Sequence, residues 1–283
     1  MMRYFLTLSL GLTTCFLAAG NALASSIIID PPNIKTTSHL GVHVSATSVN
    51  SVRLRCYISE NIGKSSRAIV LQISPSNNLG EKFDFAVTTA HGLLDGDGNV
   101  MKDCQVNLPG SKNYKVKAHV IAPNYQQGQS SDWAIIAFDK LKSKAVIRHQ
   151  VSADMSDMAV EEIANKRLSV FFSKARGLPH NGQTCTLLPR QFAGLTQKKH
   201  VQLLAHNCRS IAGQSGSPIS IMRNNHAVVL GMHVGSSMIY AHPTPSSPLR
   251  HQGYMRVIDQ DFMTTFAQIL PKIEADLNHQ GDK

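Results

Sequence analysis

The sequence predicts an all-β protein made of two small β units followed by one helix, and three observations support this fold class. Ten short runs of β-branched, aromatic and other apolar residues, bounded by Gly, Pro, Asn, Asp or Ser, are spread over both halves of the chain. Residues 140–166 interrupt this pattern with a polar stretch that alternates little, which indicates a connection between two units. Apolar residues recur at helical spacing near the carboxyl end, at Phe262, Phe266, Ile269, Ile273 and Leu277.

The strand runs are short and carry their own turn signals. The first half contains SVRLRCYIS, AIVLQIS, FDFAVTTA, YKVKAHVIA and DWAIIAF, and the second half contains RLSVFFSK, TCTLLP, VQLLAHN, SPISIM and AVVLGMHV. The last two runs, separated by RNNH, predict a hairpin because asparagine tolerates turn dihedral angles. Runs of this length and spacing are typical of either a β-barrel or a β-sandwich.

The chain divides into five predicted segments. They are a signal peptide at 1–24, an arm or removable pro-segment at 25–50, the first β unit at 51–145, a linker with the second β unit at 146–258, and the helix at 259–283. Asp259 or Asp261 can cap the start of the helix, and Pro271 predicts a kink or a restart within it.

The amino terminus has the features of a secretory signal peptide. A basic start is followed by an apolar run and by the A-x-A motif Ala22 to Ala24, which predicts cleavage after Ala24 and export to the periplasm or the medium. Cys15 suggests a lipoprotein as an alternative, but Thr14 before it fits that cleavage box poorly. No later stretch is long and apolar enough to cross a bilayer, so we expect no stable membrane anchor.

The cysteines and the charge limit the class of protein further. Four cysteines follow the signal peptide, and an even count in an exported chain favours disulfides, with three pairings open. A zinc site built from all four is disfavoured because no C-x-x-C pair exists, and we expect neither a metal nor a cofactor. The net charge is +10, but the basic residues are scattered without arginine-rich runs, so we expect no nucleic-acid binding. A soluble basic surface is favoured, with attraction to acidic polymers as the alternative.

Three short motifs carry residues that could perform chemistry together. VTTAHGLL places His91 at the end of a strand, SSDWAIIAF places Asp132 at the head of another, and GQSGSPI places Ser215 before a third. Taken singly, each motif is a weak signal. A lone histidine at a strand end is more often structural, an aspartate commonly starts a strand or a turn, and Gly, Ser and Pro are typical of flexible loops. The order His–Asp–Ser, each beside a strand, is much more specific.

With the motifs TTAH, SDWAIIAF, CRSIAGQSGSP and GMHVG in this order, the chain resembles the trypsin-like serine proteases, and most of all their bacterial glutamyl endopeptidase branch. The resemblance spans almost the whole chain after the signal peptide. It implies two six-stranded antiparallel β-barrels with the active site in the cleft between them and a helix after the second barrel. It also implies a secreted monomeric endopeptidase whose partners are protein or peptide substrates.

The resemblance assigns a role to each motif residue. Ser215 is the expected nucleophile, His91 the base that takes its proton, and Asp132 the acceptor that fixes the histidine tautomer. The backbone N–H groups of Gly213 and Ser215 are the expected oxyanion hole. The small residues around Ser215 then provide clearance for a substrate backbone.

The chain also departs from the animal proteases of this family. Gln214 replaces the aspartate that binds the new amino terminus of trypsin on activation, a residue that the bacterial branch also lacks. Gly92 replaces the cysteine after the catalytic histidine, so the disulfide beside that histidine is absent. The pairs that the resemblance then implies are Cys56–Cys104 and Cys185–Cys208.

The resemblance also predicts cleavage after acidic residues. The family's carboxylate-binding positions hold Ser210, five residues before the nucleophile, and His233 in GMHVG. Both donate hydrogen bonds, as a buried carboxylate requires. In the alternative, Ser210 is only a small loop residue, His233 is a structural strand histidine, and cleavage follows different residues. Two departures from the family favour this alternative: Ser stands where Thr is more usual, and GSS replaces a glycine pair.

Two rival functions are compatible with the same motifs. A catalytically inactive relative could bind protein or carbohydrate in the same cleft, and an esterase could use the same triad, although α/β-hydrolases order it Ser–Asp–His. A calcium site is a separate hypothesis, because Asp95, Asp97 and Asn99 resemble the start of a calcium loop, but Val100 stands where glycine is needed. A polar turn after His91 is therefore favoured.

Overall fold

The computed structural model describes residues 35–36, 42–43, 51–60, 62–73, 79–108, 112–143, 146–149, 169–172, 183–188, 202–223, 226–240 and 249–281. The predicted signal peptide and most of the predicted 140–166 connection lie outside these residues. Within the predicted arm, β1 (Lys35–Thr36) and β2 (Val42–His43) form a two-stranded antiparallel ladder.

The first barrel contains six antiparallel strands. They are β3 (Val52–Tyr57), β4 (Gly63–Leu71), β5 (Phe83–Thr88), β6 (Lys102–Asn107), β7 (Tyr114–Ile121) and β8 (Ala134–Asp139). They close in the order β3-β4-β5-β8-β7-β6. A short helix α1 (Leu79–Lys82) precedes β5, and a one-turn 3₁₀ helix (Ala90–Gly92) follows it. Alternate side chains fill the interior, including Val52, Leu54, Val70, Ile136 and Phe138.

The second barrel repeats this arrangement. Its strands are β9 (Ser169–Phe172), β10 (Gln183–Leu188), β11 (Leu203–His206), β12 (Pro218–Arg223), β13 (His226–Tyr240) and β14 (Leu249–Val257). They close in the order β10-β11-β14-β13-β12-β9. The predicted hairpin is present, because β12 pairs antiparallel with β13 from Pro218↔Met232 to Arg223↔His226. Two closed six-stranded barrels and a following helix confirm the predicted fold class.

A third apolar layer joins the barrels to the helix α2 (Gln260–Gly281). Asp259 caps α2, since its Oδ1 accepts the Phe262 N–H at 2.9 Å. The buried face of α2 packs on β7 and β8 of the first barrel, and the rings of Phe262 and Trp133 lie 4.4 Å apart. Burial of each large apolar side chain of this face contributes about 1.5–3 kcal/mol to folding. No helix in the described part of the chain is long and apolar enough to cross a membrane.

The predicted restart at Pro271 is wrong, because α2 continues through that residue. Proline removes the N–H that would bond to the carbonyl four residues earlier. Pro271 and Ala267 are both exposed, so water can satisfy the carbonyl that is left without a donor. The buried face continues on both sides of Pro271, from Phe266 to Ile273, so packing stabilises the helix before and after the proline.

Candidate active site

Strand pairing brings His91 and Asp132 together. His91 lies in the 3₁₀ turn after β5, and Asp132 lies two residues before β8, which pairs with β5 at Thr88↔Ala134. His91 Nδ1 lies 2.7 Å from Asp132 Oδ2, and the His91 backbone N–H donates to Oδ1 at 3.0 Å. A neutral ring that donates from Nδ1 keeps Nε2 as a hydrogen-bond acceptor. The Asp132 side chain is fully buried and the His91 side chain is 18% exposed, so the ring is the accessible end of the pair.

The loop before β8 completes the surroundings of Asp132. The Gly128 N–H donates to Asp132 Oδ2 at 2.7 Å, and Gly128 has φ +70°, a conformation that favours glycine. In the described part of the chain, no lysine or arginine lies within ion-pair distance of this carboxylate. Backbone dipoles and one imidazole therefore balance its charge. Burial raises the pKa of Tyr125 to about 12, and the negative charge of Asp132 adds to the effect.

Ser215 lies in a tight loop between β11 and β12. The buried Gln214 fixes this loop, since its side-chain Oε1 accepts the Ile211 N–H at 2.6 Å and its backbone N–H donates to the Ile211 carbonyl at 3.2 Å. Gly213 and Gly216 flank the segment, each with φ +87°. Both positions require glycine-like backbone freedom, which explains the small residues around Ser215.

The Ser215 loop contacts the first barrel at β4. The Arg67 N–H donates to the Ser215 carbonyl at 2.6 Å, and a Cβ atom at Gly216 would overlap the Arg67 carbonyl. The neighbouring Ser66 lies against the histidine turn, because a Cβ at Gly92 would stand 2.6 Å from Ser66 Oγ. Two adjacent residues of β4 thus contact the loop of Ser215 and the turn of His91. The loop of Ser215 and the turn of His91 therefore lie next to each other along β4, where the two barrels meet.

The N–H groups of Gly213 and Ser215 remain open for a ligand. No residue in the described ranges accepts a hydrogen bond from either group. In contrast, the neighbouring Gln214 N–H bonds to Ile211 and the Gly216 N–H donates to the His233 carbonyl at 2.7 Å. Two N–H donors beside a serine hydroxyl can bind an oxygen that becomes negative during a reaction.

His233 lies across from the same loop. Its N–H donates to the Ser217 carbonyl at 2.9 Å, and its side chain is 2% exposed. His233 Nδ1 lies 3.0 Å from Nε2 of His206, a fully buried residue at the end of β11. The Phe172 ring packs at 5.3 Å from the His233 ring. Ser210 is half-buried in the segment before Ser215. The sequence does not predict the partnership of His206 with His233, because the two residues are 27 positions apart and VQLLAHN has no local signal for it.

Both disulfides have the pairing that the resemblance implies. Cys56–Cys104 joins β3 to β6 inside the first barrel. Cys185–Cys208 ties β10 to the segment that leads from β11 to Ser215. Two disulfides are typical of proteins in an oxidising compartment.

The stretch after His91 forms a polar turn, as predicted. Asp95 Oδ1 accepts the N–H groups of Asp97 and Asn99, both at 2.9 Å. The bond from the Asn99 backbone is the largest cause that lowers the pKa of the Asp95 carboxyl. Among the described residues, no group of three or more His, Cys, Asp or Glu side chains is arranged to hold a metal ion.

Comparisons with known proteins find similarity of fold. No family model matches the sequence, and no curated protein is similar enough in sequence to be matched. Kallikrein-related peptidase 10, in a structure described as a complex with Zn²⁺, is 13% identical with a TM-score of 0.49, over 80% of this chain and 96% of that chain. A thermostable serine protease, AL20, from an extremophilic microorganism is 10% identical with a TM-score of 0.48, over 79% of this chain and 98% of that chain.

Proposed function

We propose that the protein is a secreted serine endopeptidase of the trypsin-like family, with His91, Asp132 and Ser215 as its triad. The observation that carries the proposal is the fully buried Asp132 carboxylate, 2.7 Å from the accessible His91 ring, beside a serine loop that β4 holds against the same turn. A buried carboxylate without a cation favours an imidazole that becomes positive, which is the charge change of a general base.

The proposed reaction proceeds in two halves. Ser215 Oγ attacks the substrate carbonyl carbon while His91 Nε2 takes the hydroxyl proton, and Asp132 stabilises the resulting imidazolium. The C–N bond then breaks, the amine leaves with the proton from His91, and an acyl-enzyme remains on Ser215. Water attacks this ester with His91 again as the base, which releases the acid and restores the serine.

The oxyanion donors in this proposal are the N–H groups of Gly213 and Ser215. Their support is the positive φ of Gly213 and the lack of acceptors for both groups among the described residues. Loss of one such donor typically costs about 2.7–4 kcal/mol of transition-state stabilisation.

Active-site labelling tests the proposed nucleophile. A fluorophosphonate probe should modify wild-type protein at Ser215, and Ser215→Ala and His91→Ala should abolish both labelling and peptide hydrolysis while keeping the fold. Ser217→Ala is the matched control, because Ser217 Oγ is buried in the same segment and has no hydrogen-bond partner among the described residues. That variant should label and cleave as wild type does. A folded wild-type protein that is neither labelled nor active would instead favour a catalytically inactive binder.

We further propose cleavage after glutamate and aspartate, as in the bacterial glutamyl endopeptidases. Support comes from His233, which the Gly216 and Ser217 backbone holds beside the nucleophile loop and whose ring the buried His206 fixes. A fixed imidazole donor together with the Ser210 hydroxyl suits a carboxylate, which is costly to desolvate without partners. This geometry makes His206 a positioning residue for His233.

Paired substrates test the acidic preference. We expect wild-type kcat/KM to be much higher for a peptide with Glu before the scissile bond than for the same peptide with Gln, and His233→Gln to remove this difference. His119→Gln, which changes a half-buried histidine on β7, is the matched control and should keep it. Cleavage mainly after Lys, Arg or large apolar residues would refute the pocket assignment and leave the triad intact.

Export is the third part of the proposal. The two disulfides support an oxidising compartment. Sequencing the amino terminus of the active secreted form should give Ser25 or, if residues 25–50 are a removable pro-segment, a later residue. A mature protein that still carries residues 1–24 would contradict the signal peptide.

A further inference from the structure

Three arginines share the outer face of the first two strands of the first barrel. Val52, Leu54 and Cys56 of β3 point inward and are buried, so the residues between them point outward. Across the ladder, Arg53 is opposite Arg67 and Arg55 is opposite Ser65. Directly opposed residues of antiparallel strands share one face of the sheet. We call Arg53, Arg55 and Arg67 the β3–β4 arginine face.

This face meets the loop of the proposed nucleophile. A Cβ atom at Gly213 would stand 3.7 Å from Ser65 Oγ and 3.8 Å from Ser65 Cβ. The same Ser65 hydroxyl accepts a hydrogen bond from Arg53 Nε at 2.9 Å. Arg67 bonds through its backbone N–H to the Ser215 carbonyl. A ligand that occupies the site at Ser215 and extends over the first barrel therefore passes the arginine face.

The fold leaves positive charge on this face. Like charges opposite each other in a ladder are destabilising, and Arg53 and Arg67 are such a pair. Burial, and then the charge of Arg53, lower the pKa of Arg67. Within the part of the chain that the structure describes, neither Arg55 nor Arg67 forms an ion pair, whereas Arg148 and Arg256 each bind a carboxylate.

Arg55 also lines a cavity at the protein surface. Arg55 stacks over the Tyr57 ring with its guanidinium carbon 5.9 Å from the ring centre, which holds the side chain on the surface. Arg55, Tyr57, Glu60 and Gly63 line an open cavity of about 360 Å³. The stack leaves guanidinium N–H groups available for an acceptor.

The position of the face determines which half of a substrate it contacts. In the proposed function, the side chain before the scissile bond enters the second barrel at Ser210 and His233. The residues after the scissile bond then leave on the other side of Ser215, over Ser65 and β4. Guanidinium groups bind carboxylates with two parallel hydrogen bonds.

We propose that the β3–β4 arginine face binds acidic side chains in the leaving half of the substrate, within the first few residues after the scissile bond. This inference rests on the proposed endopeptidase function. It makes the protein selective for acidic residues on both sides of the cleaved bond, through two separate groups of residues.

Two quenched fluorescent peptides that share the same residues before the scissile bond test this inference. One peptide carries Asp and Glu after the scissile bond, and its partner carries Asn and Gln. We expect wild type to cleave the acidic peptide about tenfold better in kcat/KM, as one charge-assisted hydrogen bond predicts. The ratio should fall as salt is raised, because the face is partly exposed. Arg55→Gln and Arg67→Gln should bring the ratio close to one, and Arg55→Glu should invert it for peptides with Lys in place of Asp.

Lys115→Gln is the matched control, since it removes one positive charge from the same barrel at an exposed ion pair with Asp103. It should keep the wild-type ratio and rate. If Arg67→Gln does not fold, the more peripheral Arg55 variants decide. Equal cleavage of both peptides by wild type, or an unchanged ratio in the folded arginine variants, overturns the inference and leaves the endopeptidase standing. Absence of both cleavage and serine labelling overturns the proposed function itself.

Discussion

Asp84 and Asp132 are both aspartates of the first barrel with almost no solvent exposure, 2% and 0% respectively, and the fold balances their charges differently. Asp84 accepts two hydrogen bonds from Arg148, at 2.9 and 2.8 Å, and a third from the Leu141 N–H at 2.8 Å. Lys140 adds a second cation at 3.5 Å. Asp132 has the Gly128 and His91 N–H groups and the His91 ring instead.

The difference separates a carboxylate that stabilises the fold from one that suits the proposed catalysis. Arg148 is permanently charged, and its hydrogen bond to Asp84 raises its pKa further, so Asp84 always has a full positive charge beside it. Near Asp132, fixed backbone dipoles hold the carboxylate without a full positive charge. In the proposed mechanism His91 becomes positive, and a neighbouring arginine would oppose that charge.

Asp132→Asn should cause the largest change. The amide would favour the wrong histidine tautomer, and we expect kcat to fall by about 10⁴ while the protein stays folded. Steady-state kinetics and thermal unfolding of the same preparation check this. Retention of wild-type kcat would exclude Asp132 from the triad.

Asp84→Asn should instead lower the stability and leave kcat unchanged. It removes the acid from a bidentate pair and leaves Arg148 partly buried without it, so the free energy of unfolding should fall by about 3 kcal/mol. We expect kcat per folded molecule to remain at the wild-type value. Urea unfolding, with active-site titration to count folded enzyme, separates the two quantities. A large loss of kcat in the folded fraction would show that the two aspartates are coupled.

Arg256→Lys should lower both the stability and kcat, the two quantities that the aspartate variants separate. Arg256 is buried in β14, pairs with Asp259 and Asp261, and donates from Nε to the Ser130 carbonyl at 2.8 Å, two residues before Asp132. Lysine keeps the charge but cannot reproduce this fork. We expect a loss of about 1–3 kcal/mol in stability from unsatisfied groups together with a moderate fall in kcat. Unchanged kcat would mean that the Asp132 loop is positioned without Arg256.

The smallest expected effect is a change in the pKa of Tyr125. Its pKa of about 12 comes from burial and then from the charge of Asp132, so Asp132→Asn should lower this pKa and Asp84→Asn should not. The folded state holds the phenol proton more tightly, so Tyr125 contributes stability that is lost as pH rises from about 10 to about 12. Rapid-mixing ultraviolet titration, with Tyr125→Phe as the reference, measures the shift. An equal shift in both variants would contradict a local effect of Asp132.

The sequence predicts ten of the twelve barrel strands. The two strands that it does not predict, β6 and β14, lack a clear apolar pattern. β6 is the polar stretch KDCQVN, in which Cys104 and Val106 alone are buried. β14, LRHQGYMRV, buries Met255 and Val257 in the barrel interior and also Gln252 and Arg256 at the alternate positions, so burial on both faces hides the apolar–polar alternation. Both strands bury residues that only distant partners make compatible with a core.

The residues of the site also divide into those with a local sequence signal and those without one. His91, Asp132 and Ser215 stand in motifs with local signals, and they were candidates from the sequence. The partners that hold them, Ser66, Arg67 and Gly128, make contacts across loops or between barrels and leave no local pattern. Gln214 was noted for a missing aspartate, whereas in the structure its side chain fixes the loop.

The position of α2 on the first barrel has a consequence for the order in which the molecule is completed. Synthesis begins at the amino terminus, so β7 and β8 leave the ribosome long before the helix that covers them. At that stage His91 and Asp132 exist, but the loop of Ser215 and the helix do not. The cover of the first barrel and the last part of the site thus arrive late in synthesis, so under the proposed function a growing chain cannot yet cleave its neighbours.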